Sequence, residues 1–149
     1  DVLYIDFGLR YLTMCSDITR FFIVGSPEKE VFETYRAVYT AQNEAIDNIK
    51  VGENCSKPDE IARDVIRRFG YDPTLFKHSL GHPLGVDVHD VGPPFSNMAD
   101  EKIIENTAYT VEPAIYFEKK FGIRIEDDII ILKGKVERLS RAPEEPIKV

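Results

Sequence analysis

Tryptophan is missing from this 149-residue chain, and cysteine, methionine and histidine are scarce, at two, two and three. Cys15 and Cys55 are too few for a disulfide framework, which points to a reducing, cytoplasmic setting rather than secretion. Neither has the spacing of a zinc knuckle. Basic residues are the minority charge: 19 Lys and Arg against 26 Asp and Glu leave a net −7. That balance argues against a nucleic-acid or anionic-membrane surface, and it is compatible with an acidic site that collects cations. No apolar run approaches the length of a membrane span, and no opening segment reads as a secretory leader. With 43% hydrophobic and 30% charged residues, the chain is otherwise an ordinary globular sequence, one domain long. It begins on Asp1, directly in an apolar run, which predicts that upstream sequence is missing.

What is scarce is also concentrated. His78, His82 and His89 fall within twelve positions, around Gly81 and Gly85. Histidine is the commonest metal ligand and the usual proton carrier near neutral pH, and glycine lets a backbone turn sharply or approach a ligand. Taken alone, the stretch also fits a turn with one or two satisfied imidazoles.

Val2–Phe7 reads as a strand, turned at Gly8, with Ser16–Val24 as its antiparallel partner. Ser26-Pro27-Glu28 predicts a helix start, with a capping hydroxyl, proline in the first turn and an acid against the dipole. Val31, Phe32, Tyr35, Val38, Tyr39, Ile46 and Ile49 then recur at helical spacing to about Lys50. A second helix begins near Ser56, carries Ile61, Ala62, Val65, Ile66 and Phe69 on one stripe, and stops at Gly70. Residues 91–100 read as a loop and 108–112 as a strand. Gly122–Leu132 reads as one long strand with a polar patch in its middle, followed by a hairpin at Lys133-Gly134-Lys135 and a loose Pro- and Glu-rich tail from Arg141. The order predicts a single α+β domain with helices on one face of an antiparallel sheet.

Four carboxylates, Asp6, Asp17, Glu112 and Glu126, sit where strand cores should be apolar. Any one of them fits an edge-strand acid or a strand-end turn. Strand alternation, however, puts Thr110 with Glu112 on one face and Arg124 with Glu126 and Asp128 on another, so a folded sheet can bring the four together. Two unit charges about 4 Å apart repel by roughly 4 kcal/mol at an effective dielectric near 20. Two divalent cations would neutralise four carboxylates, and oxygen donors with one imidazole suit Mn²⁺, Fe²⁺, Co²⁺ or Zn²⁺.

These residues carry a family resemblance. Ile5-Asp6-Phe7-Gly8, Ser16-Asp17-Ile18-Thr19-Arg20, His78-Ser79-Leu80-Gly81-His82 with Gly85 and His89, Thr110-Val111-Glu112-Pro113 and Arg124-Ile125-Glu126-Asp127 resemble, in order and spacing, the five motifs of the pita-bread metallopeptidases. The wording is closest to the prolidase (Xaa-Pro dipeptidase) and aminopeptidase P branch. The resemblance implies the pita-bread fold with most of its first repeat missing, so that residues 1–149 are the C-terminal part of one catalytic domain. It also implies hydrolysis of Xaa-Pro bonds in a proline-containing dipeptide or peptide, by a hydroxide bridging two divalent ions, Mn or Co ahead of Zn or Fe. Asp6, Asp17, His82, Glu112 and Glu126 are then the metal ligands. Glu112 also shuttles the proton, His89 contacts the substrate or the tetrahedral intermediate, Arg124 orients a carboxylate or meets the substrate, and His78 stands near the pocket. Family members are commonly homodimers.

Two departures stand out. Pro83 follows His82 where the family has glycine, which removes a backbone N–H, and Ala114 follows Glu112-Pro113 where glycine is usual. Neither removes a ligand. The competing expectations are a catalytically inactive pita-bread module that binds peptides or proteins, and a metal-free hydrolase on the same scaffold. Both are expected to have lost ligands that this chain keeps.

Overall fold

The structure, a computed structural model, describes all 149 residues. Strand β1 (Val2–Phe7) pairs antiparallel with β4 (Ile18–Ile23), as the two apolar runs predict, with Asp6 opposite Thr19 and Ile5 opposite Arg20. Between them Leu12 and Thr13 adopt left-handed backbone, and a small hairpin forms from β2 (Arg10–Tyr11) and β3 (Met14–Cys15) where only a turn is expected. β4 alternates cleanly, burying Thr19, Phe21 and Ile23. β1 is mostly exposed and presents Leu3, Tyr4, Ile5 and Phe7 to solvent.

Helices α1 (Lys29–Asp47) and α2 (Ser56–Arg68) pack on each other. α1 buries Val31, Tyr35, Val38 and Ile46 of the expected stripe together with Ala37, Ala41 and Ala45, and α2 buries Ala62, Val65 and Ile66 of its stripe while Phe69 stays exposed. The predicted cap is a miss. α1 starts at Lys29 with Glu28 as its N-cap and no side-chain cap bond, so Ser26 and Pro27 lie outside the helix. Its end, too, comes before Lys50.

The second sheet runs β10-β9-β6-β5, from Lys135–Arg138, Asp127–Leu132, Thr107–Val111 and Pro83–Leu84, all antiparallel. β7 (Ala114–Phe117) and β8 (Phe121–Arg124) form a separate hairpin. The single long strand expected over Gly122–Leu132 is therefore two strands in two sheets. The reason lies in its polar middle. The backbone of Glu126 bonds to that of Thr19 on β4 in both directions (3.2 and 3.4 Å), and the Arg20 guanidinium donates to the Glu126 carbonyl at 2.6 Å. The chain crosses from one sheet to the other at that point.

The tail is not loose. Asp127, fully buried, accepts from Arg20 (2.8 Å), the Ser140 hydroxyl (2.7 Å) and the Ala142 N–H (2.8 Å). The Tyr35 hydroxyl donates to the Pro143 carbonyl at 2.6 Å, and β11 (Ile147–Lys148) adds to β4 in parallel. A buried carboxylate without such donors would cost several kcal/mol, so the tail residues that satisfy Asp127 are held with it.

Candidate metal centre

Strand ends and crossings carry the acidic residues to one place. Asp6 lies near the end of β1, Asp17 just before β4, Glu112 just after β6, and Glu126 at the crossing between β8 and β9. His82 joins them because its loop runs unusually close to β6. A Cβ on Gly81 would sit 1.9 Å from the Thr110 carbonyl oxygen, so only glycine admits this approach. The His82 N–H then donates to Thr110 Oγ1 (3.1 Å), the Thr110 N–H to the His82 carbonyl (3.0 Å) and the Glu112 N–H to the Leu80 carbonyl (2.7 Å). His82 and Glu112 are thereby fixed side by side.

Three overlapping groups result, each with donor atoms within 4.8 Å of one another: Asp6, Asp17 and Glu126; His82, Glu112 and Glu126; and Asp17, His82 and His89. His82 Nδ1 bonds the Pro83 carbonyl at 3.0 Å, which makes it the protonated nitrogen. The Nε2 lone pair faces Asp17 Oδ2 and Glu112 Oε1, each 3.6 Å away. Thr19 Oγ1 donates to Glu126 Oε2 (2.7 Å) and accepts from Arg124 Nε (3.1 Å), while Arg124 also pairs with Asp6. The Asp17 N–H is held by Asp128 Oδ2 at 3.1 Å.

The six residues Asp6, Asp17, His82, His89, Glu112 and Glu126 thus converge, with Arg124 against them. His78 stands beside the cluster rather than in it. Its ring bonds the Ser79 carbonyl (2.9 Å) and the Tyr116 hydroxyl (3.0 Å), with Nδ1 3.8 Å from Glu112 Oε2. The alternation expected of Arg124, Glu126 and Asp128 survives the crossing, since all three reach the Asp17–Thr19 segment.

Sequence reasoning missed the supports. Asp59 and Arg63, i and i+4 on α2, form an ion pair at 2.6 Å, with Asp59 fully buried. Asp59 accepts from the Leu80 N–H, and Arg63 donates to the carbonyls of Pro73, Phe76 and His78. A charged pair beside the apolar stripe of α2 was the available signal.

Crowding shows in the acidities. Burial above all, with Glu112 and then Asp17 adding, pushes Glu126 up to about 8. Burial pushes Glu112 up to about 7, with Arg124 opposing and Asp17 and Asp6 adding. Asp17 is raised by burial and by Asp6, and burial keeps His82 neutral by lowering it. Several carboxylates disfavoured as anions, around an imidazole with a free lone pair, fit a divalent cation: oxygen donors and one nitrogen, all partly withdrawn from water.

The same shifts set a pH dependence. A carboxyl whose folded value lies above its unfolded one stabilises the fold at low pH and loses that contribution as pH rises through the folded value. For Glu112 and Glu126 the loss extends to about pH 7 and 8. His78 and His82, lowered by burial, work oppositely but only below their ordinary value of 6.5. The metal-free protein is therefore expected to lose on the order of a few kcal/mol between pH 6.5 and 8.5, seen as a melting temperature falling by roughly 5–10 °C. Added Mn²⁺ should stabilise most at the alkaline end, because its binding displaces protons. Scanning calorimetry with chelator and with Mn²⁺ checks this; a metal-free melting point that stays level or rises over that window contradicts it.

Comparison with known proteins agrees with this geometry. The model of metallopeptidase family M24 matches residues 1–133. The Xaa-Pro dipeptidase of Pyrococcus horikoshii is 40% identical over 148 residues, covering 99% of this chain and 41% of that protein. Among solved structures, a prolidase from Thermococcus sibiricus superposes with a TM-score of 0.93 at 39% identity, over 100% of this chain and 40% of that one. An X-Pro aminopeptidase from Thermotoga maritima does so with 0.93 at 43%, over 100% and 41%. The chain spans about two fifths of the length of the relatives it matches, and its fold is the pita-bread fold of the prolidases. With the family model covering all five motifs from Asp6 to Glu126, the chain belongs to metallopeptidase family M24.

Proposed function

We propose that residues 1–149 form the C-terminal part of the catalytic domain of a peptidase that hydrolyses Xaa-Pro bonds using two divalent metal ions, Mn²⁺ or Co²⁺ ahead of Zn²⁺ or Fe²⁺. The observation that carries this reading is the convergence of five donors from five separate elements, with His82 Nε2 3.6 Å from both Asp17 and Glu112. Asp6, Asp17, His82, Glu112 and Glu126 would hold the ions. Such ions supply Lewis acidity toward a scissile carbonyl and make water acidic enough to attack it near neutral pH.

The remaining chemistry belongs to side chains. Glu112, whose Oε1 stands 3.6 Å from His82 Nε2, is suited to take a proton from the attacking water and return it to the leaving nitrogen. His78, 3.8 Å from Glu112 Oε2 and bonded to the Tyr116 hydroxyl, limits where that carboxylate can turn. Arg124, over the ring of Tyr4 at 5.2 Å and paired with Asp6, orients that ligand carboxylate. His89, exposed at the rim with its ring 4.0 Å from that of His82, is placed to donate to the substrate carbonyl as it becomes an oxyanion. Pro83 offers no N–H there; instead its carbonyl fixes the His82 tautomer. The intact donor set favours an enzyme over an inactive binding module on the same fold.

Metal reconstitution tests the proposal. The intact protein, stripped with chelator and titrated with Mn²⁺ or Co²⁺, should take up two equivalents and gain cleavage of Xaa-Pro dipeptides or Xaa-Pro-initiated peptides. Undiminished cleavage in the stripped protein, or two bound metals without any Xaa-Pro cleavage, would overturn it.

A further inference from the structure

His89 owes its place to the turn that carries it, and that turn is built around one carboxylate. Asp90 Oδ2 accepts from the Val86 N–H at 2.8 Å and Oδ1 from the Val91 N–H at 2.7 Å, so the side chain spans the loop from end to end. The Asp90 N–H donates to the Pro83 carbonyl at 3.0 Å. That carbonyl is also the partner of His82 Nδ1, again at 3.0 Å. One oxygen thus ties the orientation of the His82 ring to the backbone next to His89.

Gly85 completes the arrangement. A Cβ there would lie 2.2 Å from Asp90 Oδ2, so a side chain at 85 and the carboxylate of Asp90 exclude each other. The outer side of the turn is fastened by the β2–β3 hairpin. The Cys15 N–H donates to the Gly85 carbonyl at 2.8 Å, and Cys15 Sγ and Arg10 both reach the Val86 carbonyl. Since Asp17 follows that hairpin directly, the segment bearing one candidate ligand braces the loop that carries His89.

We propose that Asp90 is a positioning residue for His89, with Gly85 kept bare to admit its carboxylate. This rests on the oxyanion role given to His89 above. Asp90 belongs to none of the three donor groups; it acts by holding the turn at a spacing that keeps His89 against His82. Misplacing a catalytic group by about 1 Å can cost on the order of a hundredfold.

The test combines single and double variants of the intact, metal-loaded protein. Asp90→Ala should lower kcat roughly tenfold to a hundredfold, with KM within a small factor and both metals retained. Gly85→Ala should do the same, because its methyl expels the carboxylate. In the Asp90→Ala background Gly85→Ala should cost little more, since the clash is gone, and in a His89→Ala background Asp90→Ala should add almost nothing. Asp90→Asn, which keeps one acceptor oxygen, should fall between wild type and Asp90→Ala and serves if the alanine variant folds poorly. A readout independent of turnover is the His89 ring resonance in NMR, assigned by its loss in His89→Ala, which should move in both Asp90→Ala and Gly85→Ala. Independent, multiplying losses from Asp90→Ala and His89→Ala, or a His89 resonance unmoved in Asp90→Ala, would overturn the proposal. Should the wild type cleave no Xaa-Pro bond, the functional reading fails while the resonance still decides whether Asp90 places His89.

Discussion

Replacing Asp17 by Ala is expected to strip most of the bound metal from the intact protein and, with it, most of the Xaa-Pro cleavage proposed above. Asp17 belongs to two of the three donor groups, one with Asp6 and Glu126 and one with His82 and His89. Glu126 is the other carboxylate found in two groups, and it joins Asp6 and Asp17 to His82 and Glu112. Partners that merely orient a ligand are typically worth tenfold to a hundredfold in metal affinity, so a shared ligand should be worth on the order of a hundredfold or more. The fold should survive. The Asp17 charge is among the causes that raise both Glu112 and Glu126, so its removal relieves repulsion in the metal-free protein, which offsets the small void left by a side chain cut back to Ala. Metal analysis after dialysis, thermal melts with chelator and steady-state kinetics read the three parts separately. Full occupancy together with full activity would sink the assignment of Asp17 as a ligand.

How much of this was legible beforehand depends on how local the signal was. That Asp6, Asp17, His82, Glu112 and Glu126 come together could be read because polar groups inside apolar strand runs are costly and because their five short motifs keep order and spacing. The β1–β4 pair and the two helix stripes were readable for the same reason: period and punctuation lie within a dozen residues. What failed depends on partners far away. The break in the run at Glu126 is set by Thr19 and Arg20, more than a hundred residues earlier, and nothing in Ile125-Glu126-Asp127 announces it. The tail reads as loose by composition, yet it is ordered by Asp127 and by Tyr35 of α1. The two-residue strands of the β2–β3 hairpin carry no pattern of their own and are held by Gly85 and Val86 across the site. The hydroxyl expected to cap α1 fails because the chain from β4 enters the helix two residues later than Pro27 suggests.

His89→Ala should separate catalysis from assembly more sharply than any ligand change. His89 is exposed, whereas His82, Glu112 and Asp17 keep only about an eighth of their side-chain surface (14%, 13% and 13%). Its loss therefore leaves no buried void, and the core cluster, which contains no histidine, is untouched. His89 does share a donor group with Asp17 and His82, so a ligand role is the competing outcome and metal retention is the discriminating measurement. If His89 donates to the carbonyl oxygen as charge develops there, its contribution belongs to the transition state. Removing one such donor typically lowers turnover on the order of a hundred- to a thousandfold, and KM should stay within a small factor because the ground-state carbonyl gains little from the bond. The expected variant binds both metals, melts where the wild type does and turns over slowly. Loss of metal in parallel with activity would make His89 a ligand, a lowered melting point with normal turnover would make it a packing residue of the Gly85–Val91 turn, and an unaffected rate would remove it from the mechanism.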